Sequence, residues 1–365
     1  MTLVTWLILA AGLVLLVIGA ELLVKGASSL AAVLGIPPLI IGLTIVAYGT
    51  SAPEMAVSTM SSFAGQADIA VGNVVGSNIF NTLLILGISA LLTPLVVTRQ
   101  LIRSDVPISL GVSVLLLIFG LDGEISRVDG IILFVGGIVY TLSLIYQARK
   151  QKNNSEQDEF TEEYGFSGNK SSLLFVKNIL FIIGGLILLV LGSRWLVDQA
   201  TVIARAFGVS ELLIGLTIVS MGTSLPELAT SVTASIRGER DIAVGNVLGS
   251  NIFNVLAVLG LSGIVSPEGI AVSRNLLEFD IPVAIAVAFA CLPIFYSGSR
   301  IDRWEGSLFL FYYAAYVGYL ILDAVRHESL PGYGMVMLIF VIPLTAVVLI
   351  AITLKEKQRR KNRQV

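Results

Sequence analysis

The chain has 365 residues, of which 55% are hydrophobic and only 13% charged, for a net charge of −2; its mean hydropathy is +0.90. A soluble protein carries about 25% charged residues, so this composition argues against a pair of soluble domains. One cysteine (Cys291) and one histidine (His327) exclude disulfide frameworks and zinc sites built from Cys and His.

Apolar runs long enough to cross a bilayer, which takes about 20 residues of helix, lie at 3–24, 38–60, 70–94, 106–121, 130–148, 174–197, 211–233, 243–265, 281–297, 305–323 and 332–354. The sequence therefore predicts an all-α polytopic membrane protein with eleven spans. Met1 to Val24 runs into the first span without a basic leader, so no cleavable signal is expected. The first five spans fill residues 1–148. A polar stretch at 149–172, with Arg149, Lys150 and Lys152 followed by Glu156, Asp158, Glu159, Glu162 and Glu163, reads as a solvated cytoplasmic linker. Five more spans fill 173–325, and 326–365 holds an extra span and a basic tail. With the N-terminus outside, 18 of the 23 Lys and Arg fall on the inner side, including Lys25, Arg103, Arg237, Arg240 and the tail from Lys355 to Arg363. The positive-inside rule thus orients the chain in a plasma membrane with the C-terminus cytoplasmic.

The chain repeats itself. The stretch from Gly42 to Glu54, Gly-Leu-Thr-Ile-Val-Ala-Tyr-Gly-Thr-Ser-Ala-Pro-Glu, returns from Gly215 to Glu227 as Gly-Leu-Thr-Ile-Val-Ser-Met-Gly-Thr-Ser-Leu-Pro-Glu. The stretch from Asp68 to Asn81 returns from Asp241 to Asn254 with one change, Val75 to Leu248. Both copies lie 173 residues apart, and Asp105-Val-Pro is echoed by Asp280-Ile-Pro. Two five-span halves must run in opposite directions, because five is odd. Inverted repeats of this kind are a transporter architecture with the site at the midplane.

Glu54 and Glu227 sit mid-span in segments without Lys or Arg, from Gly26 to Thr98 and from Ala206 to Ile236. A carboxylate at bilayer depth is costly, and such residues mark ion paths. Pro53 and Pro226 offer no N–H to the carbonyls of Gly49 and Gly222, and a helix broken this way is tolerated where it lines a cavity. Carboxylate and carbonyl oxygens together suit a hard cation such as calcium or sodium. Helical spacing adds Thr50 and Ser51 to the face of Glu54, and Thr223 and Ser224 to that of Glu227. Ser77 and Asn81 on the next span are matched by Ser250 and Asn254. Asp68 and Asp241, which begin spans, are expected to cap them.

The paired Gly-Thr-Ser-x-Pro-Glu and Gly-Ser-Asn-Ile-Phe-Asn segments resemble the alpha repeats of the cation/calcium antiporter superfamily, in its prokaryotic sodium/calcium exchanger-like branch. The resemblance covers spans one to ten. It implies a ten-helix exchanger core in which Glu54 and Glu227 bind calcium, with oxygens near Ala47, Thr50, Ser51, Ser220, Thr223 and Ser224 joined by Ser77, Ser250, Asn81 and Asn254. It also implies that the first and sixth spans move during transport. Members often carry Asp where this chain has Asn254, which leaves the coupling stoichiometry open, and the eleventh span is outside the usual pattern. The expected function is Ca2+/Na+ antiport by alternating access. Two ionised glutamates match one Ca2+ or at least two monovalent ions, and an empty site would leave like charges desolvated. A proton-coupled exchanger is the main rival. A cation channel would use the same oxygens but would more naturally ring a pore with subunits. No enzyme activity, no resident cofactor and no nucleic-acid partner are expected; the partners are the transported ions and the lipid bilayer.

Overall fold

The computed structural model describes residues 2–65, 68–151, 172–209, 220–296 and 298–348, together with positions 214, 218, 350 and 354. The first helix, α1 (Leu3–Leu34), starts at Thr2, whose hydroxyl accepts from the Thr5 amide, and stops at Gly35, which adopts the left-handed conformation with φ 63°. It thus runs well past the expected end at Val24. Lys25 does not end the helix because its long stem lets the ammonium reach the interface while the backbone continues. At 1.5 Å per residue, its 32 residues span about 48 Å, more than the roughly 30 Å hydrocarbon core. Its counterpart, α7 (Ser172–Ala206), is likewise longer than the predicted 174–197.

The second predicted span is broken. Helices α2 (Pro38–Thr50) and α3 (Ala52–Phe63) meet at 45°. The break falls at Ser51, with φ −79° and ψ 6°, and Pro53 occupies the first turn of α3, where its missing N–H costs nothing. The other half repeats the device: Ser224, with φ −91° and ψ 6°, leads into α8 (Leu225–Ile236) with Pro226 in its first turn. The opening part of the seventh predicted span, 211–219, lies outside the described residues except at 214 and 218.

The remaining long helices are α4 (Ile69–Leu92), α5 (Leu101–Gly120), α6 (Arg127–Gln151), α9 (Arg240–Val265), α10 (Leu276–Tyr296), α11 (Arg303–Ala324) and α12 (Leu330–Val348). Among the described residues, nine helices are long and apolar enough to span, ten with the bent α2–α3 pair. The seventh expected span is not among these, because its opening residues fall largely outside the described ones. The linker expected at 149–172 and the basic tail fall largely outside the described residues. Asp241 does not cap α9 as expected. The N-cap position is Glu239, whose side chain makes no capping bond to the helix and accepts instead from Ser28 of α1, and Asp241 lies in the first turn. The Asp68 side chain is outside the described residues.

The halves are inverted. Equivalent helices α1 and α7 pack antiparallel, and glycine sets their spacing. A Cβ on Gly19 would come within 2.8 Å of the Gly185 carbonyl oxygen, and one on Gly12 within 2.9 Å of that of Gly192. These two contacts exchange under the 173-residue shift. Two short antiparallel ladders also cross between the halves. Strand β1 (Leu95–Val96) pairs with β4 (Arg300–Ile301), and β2 (Glu124–Ile125) with β3 (Ile270–Ala271). Helices α4 and α9 are the most enclosed of the spans. The extra helix α12 lies outside this frame, held to α11 by Tyr312 donating to Thr345 Oγ1 (2.6 Å) and Tyr333 donating to the Ala315 carbonyl (2.8 Å).

Candidate cation site

The two broken helices bring Glu54 and Glu227 to the centre, each fully buried. Their partners cross between halves. Ser51 donates to Glu227 Oε1 at 3.1 Å, and Ser224 donates to Glu54 Oε1 at 2.8 Å. Helical spacing alone assigns each serine to the glutamate three residues on. The near-zero ψ at Ser51 and Ser224 ends the α-helical register there, and each hydroxyl serves the opposite repeat. Ser224 Oγ also lies 3.0 Å from Ser77 Oγ, which ties α4 to the same centre.

A second layer holds the breaks. Thr50 donates to Asn246 Oδ1 at 3.0 Å, and Thr223 donates to Asn73 Oδ1 at 3.3 Å. The two amides donate in turn to hydroxyls beyond each glutamate: Asn246 to Ser231 at 2.9 Å and Asn73 to Ser58 at 3.0 Å. The carbonyl of Gly222, deprived of an amide by Pro226, accepts from Ser193 of α7. The equivalent position in α1 is Ala20, so the first half lacks that donor.

On α4 and α9 the helices widen into π-helical turns, at Phe80–Ile85 and Asn254–Leu259, where Asn81 and Asn254 sit. Such turns interrupt the regular ladder and recur at functional sites. The amide nitrogens here are spoken for. Asn81 Nδ2 donates to Asn251 Oδ1 at 3.1 Å, and Asn254 Nδ2 to Asn78 Oδ1 at 3.0 Å. Asn251 Nδ2 donates to Thr82 Oγ1 at 2.8 Å. With their donors engaged, Asn81 and Asn254 keep their oxygens free.

Five buried atoms of the expected ligand set have no hydrogen-bond partner: Glu54 Oε2, Glu227 Oε2, Asn81 Oδ1, Asn254 Oδ1 and Ser250 Oγ. A buried polar atom left alone costs on the order of 1–3 kcal/mol, more if charged. Here four of the five are pure acceptors, and the fifth is a hydroxyl with lone pairs, which is the donor set a hard cation requires. The ion pairs Arg237–Glu21, Arg274–Glu278 and Arg300–Asp302 all lie away from this centre.

The structure thus brings together Glu54, Glu227, Ser51, Ser224 and Ser77, with Thr50 and Thr223 one bond away through Asn246 and Asn73. The Ala47 carbonyl accepts from the Ser51 amide at 3.0 Å and lies on the same turn as Thr50. The Ser220 side chain is outside the described residues. Sequence reasoning passed over Asn73, Asn78, Asn246 and Asn251. Their signal was present, since each amide recurs at the 173-residue spacing within the same motif.

The family model described as "Sodium/calcium exchanger protein" matches two stretches, residues 4–146 and 177–322. The chain is 42% identical over 285 residues to inner membrane protein YrbG of Escherichia coli, covering 78% of this chain and 87% of that protein. It is 35% identical over 343 residues to sodium/calcium exchanger MaX1 of Methanosarcina acetivorans, covering 86% and 97% respectively. Its fold is similar to the solved sodium/calcium exchanger from Methanococcus jannaschii, with a TM-score of 0.73 and 29% identity over 87% of this chain and 99% of that one. Duplicated broken helices, a buried pair of glutamates and these likenesses agree, and the chain belongs to the sodium/calcium exchanger family.

Proposed function

We propose that this antiporter exchanges Ca2+ for Na+ by alternating access, with both ions bound at the midplane by Glu54, Glu227 and the neutral oxygens around them. The observation that carries the reading is the set of five buried, unpartnered atoms: two carboxylate oxygens, two amide oxygens and a hydroxyl. Calcium takes six to eight oxygen ligands, and desolvating sodium also requires several. The neutral shell from Thr50, Ser51, Ser77 and Asn81, with Ser220, Thr223, Ser224, Ser250 and Asn254 opposite and the Ala47 carbonyl beside them, supplies these. The transported ions are the substrates, and the family needs no resident cofactor.

Alternation is supported by a break in the symmetry. On α8, Leu225, Ala229 and Thr233 are half-buried, with α1 lying along the helix. Their counterparts on α3, Ala52, Ala56 and Met60, are exposed. Sliding the α1–α7 pair would exchange the two arrangements. The charge asymmetry of the loops supports an outer N-terminus, which makes the α3 side the outward path.

A proton-coupled exchanger is the second reading, favoured by the free Glu54 and Glu227 oxygens, either of which can carry a proton. Calcium uptake into proteoliposomes under imposed sodium, potassium or proton gradients separates the two. Sodium loaded inside should drive uptake. Flux that follows the pH gradient and ignores sodium would replace this reading with the proton-coupled one.

A further inference from the structure

An apolar groove of about 490 Å3 runs between α1 and α8, lined among others by Leu13 and Val17 of α1, Leu196 of α7 and Leu228, Val232 and Ile236 of α8. It opens on the face where Leu13 and Val17 are 53% and 52% exposed. At one end stand Glu21 and Arg237, paired at 2.9 Å. Around that end the three cations Lys25, Lys177 and Arg237 outnumber two carboxylates, Glu21 and Glu239, the latter accepting from Ser28 of α1. Lys25 is one turn beyond Glu21 on α1, and it shares the Phe181 ring with Lys177, at 5.9 and 5.5 Å from the centroid. The repeat does not reproduce this end: the 173-residue shift places Ala64 where this half has Arg237.

We infer that the groove is a lipid site that takes one acyl chain of an anionic phospholipid, with its phosphate at Arg237 and Lys25. In a bilayer, an open apolar groove on a lipid-facing seam meets hydrocarbon rather than water, so an acyl chain is its natural filling. The ion pair with Glu21 engages one nitrogen of a guanidinium that carries five N–H donors, and the planar fork matches phosphate oxygens. A basic cluster at the end of a spanning helix is a feature that attracts anionic lipid. The inference concerns the lipid seam and holds whichever ion drives transport.

The test uses the full chain in phosphatidylcholine vesicles doped with phosphatidylglycerol bearing a diazirine near its acyl terminus, with phosphatidylcholine carrying the same label as control. After irradiation, adducts are mapped by mass spectrometry. Phosphatidylglycerol adducts should concentrate in peptides holding Leu13–Glu21 and Leu225–Ile236. Val17→Trp, which fills the groove, should bring them down to the level of the other lipid-facing helices. Arg237→Gln should lower phosphatidylglycerol labelling to that of phosphatidylcholine, and it carries the test alone if Val17→Trp aggregates. Equal labelling of the groove by both lipids in the wild type, even labelling of all lipid-facing helices, or groove labelling that survives Val17→Trp would each overturn the assignment.

Discussion

Glu227→Gln keeps the shape of the side chain and removes half of the charge at the centre. Glu227 is fully buried; Ser51 holds one of its oxygens and the other has no partner. With Ca2+ in place, that oxygen belongs to a buried ion pair, and breaking such a pair from one side costs about 3–5 kcal/mol. By the tenfold-per-1.4 kcal/mol rule, calcium affinity should fall at least roughly 150-fold. Folding should not suffer, because the substitution also removes the cost of burying an unpaired charge. Thermal unfolding in detergent reads both effects. Calcium at a hundred times the wild-type Kd adds about 2.7 kcal/mol to stability, and after a roughly 150-fold loss the same concentration adds only about 0.3 kcal/mol. The variant should therefore match or exceed the wild type without calcium and show almost no calcium-induced shift, with uptake abolished. A calcium shift equal to that of the wild type would refute the reasoning and make the carboxylate structural.

Three further outcomes are expected. Gly19→Ala places a Cβ 2.8 Å from the Gly185 carbonyl oxygen; overpacking of this kind costs about 1–3 kcal/mol, so the melting temperature and transport should both fall, and unchanged values for both would mean that α1 and α7 do not pack closely in the working protein. A cysteine introduced at 149–172 should be labelled from the inner face only, and labelling from the outer face alone would reverse the orientation. External sodium should release bound calcium competitively, and Asn254→Asp, which adds an ionisable acid beside a buried amide network, should alter that sodium dependence; an identical sodium curve would argue that residue 254 is not a ligand.

An exchanger must not cross empty, and the site's charge explains how this chain would avoid doing so. Glu54 and Glu227 each hold one hydroxyl bond from the opposite half and no cationic side chain among the described residues. Without an ion, two carboxylates would be desolvated together, a state far less favourable than one with Ca2+ or two Na+ between them. The crossed Ser51–Glu227 and Ser224–Glu54 bonds also join the two halves at this centre.

The all-helical spanning architecture, the inverted halves and the two buried central glutamates were legible in the sequence, because hydrocarbon imposes the same length and polarity rule on every span and the motifs occur twice. Most of the buried polar residues gathered around them could be named for the same reason, since they recur in both copies of the motifs. The partners of those residues could not. Ser51 and Glu227 are 176 positions apart, and helical spacing points the serine to Glu54; only the antiparallel packing of the repeats brings it to the other glutamate. The full lengths of α1 and α7 were also hidden, since Lys25 reads as the end of an apolar run although a lysine stem lets the helix pass the interface. The free oxygens of Asn81 and Asn254 likewise depend on Asn78 and Asn251 engaging their nitrogens across the repeat boundary. A linear chain states which groups are present. Which lone pairs remain for an ion is decided by contacts between the two halves, and these exist only once the halves have packed together.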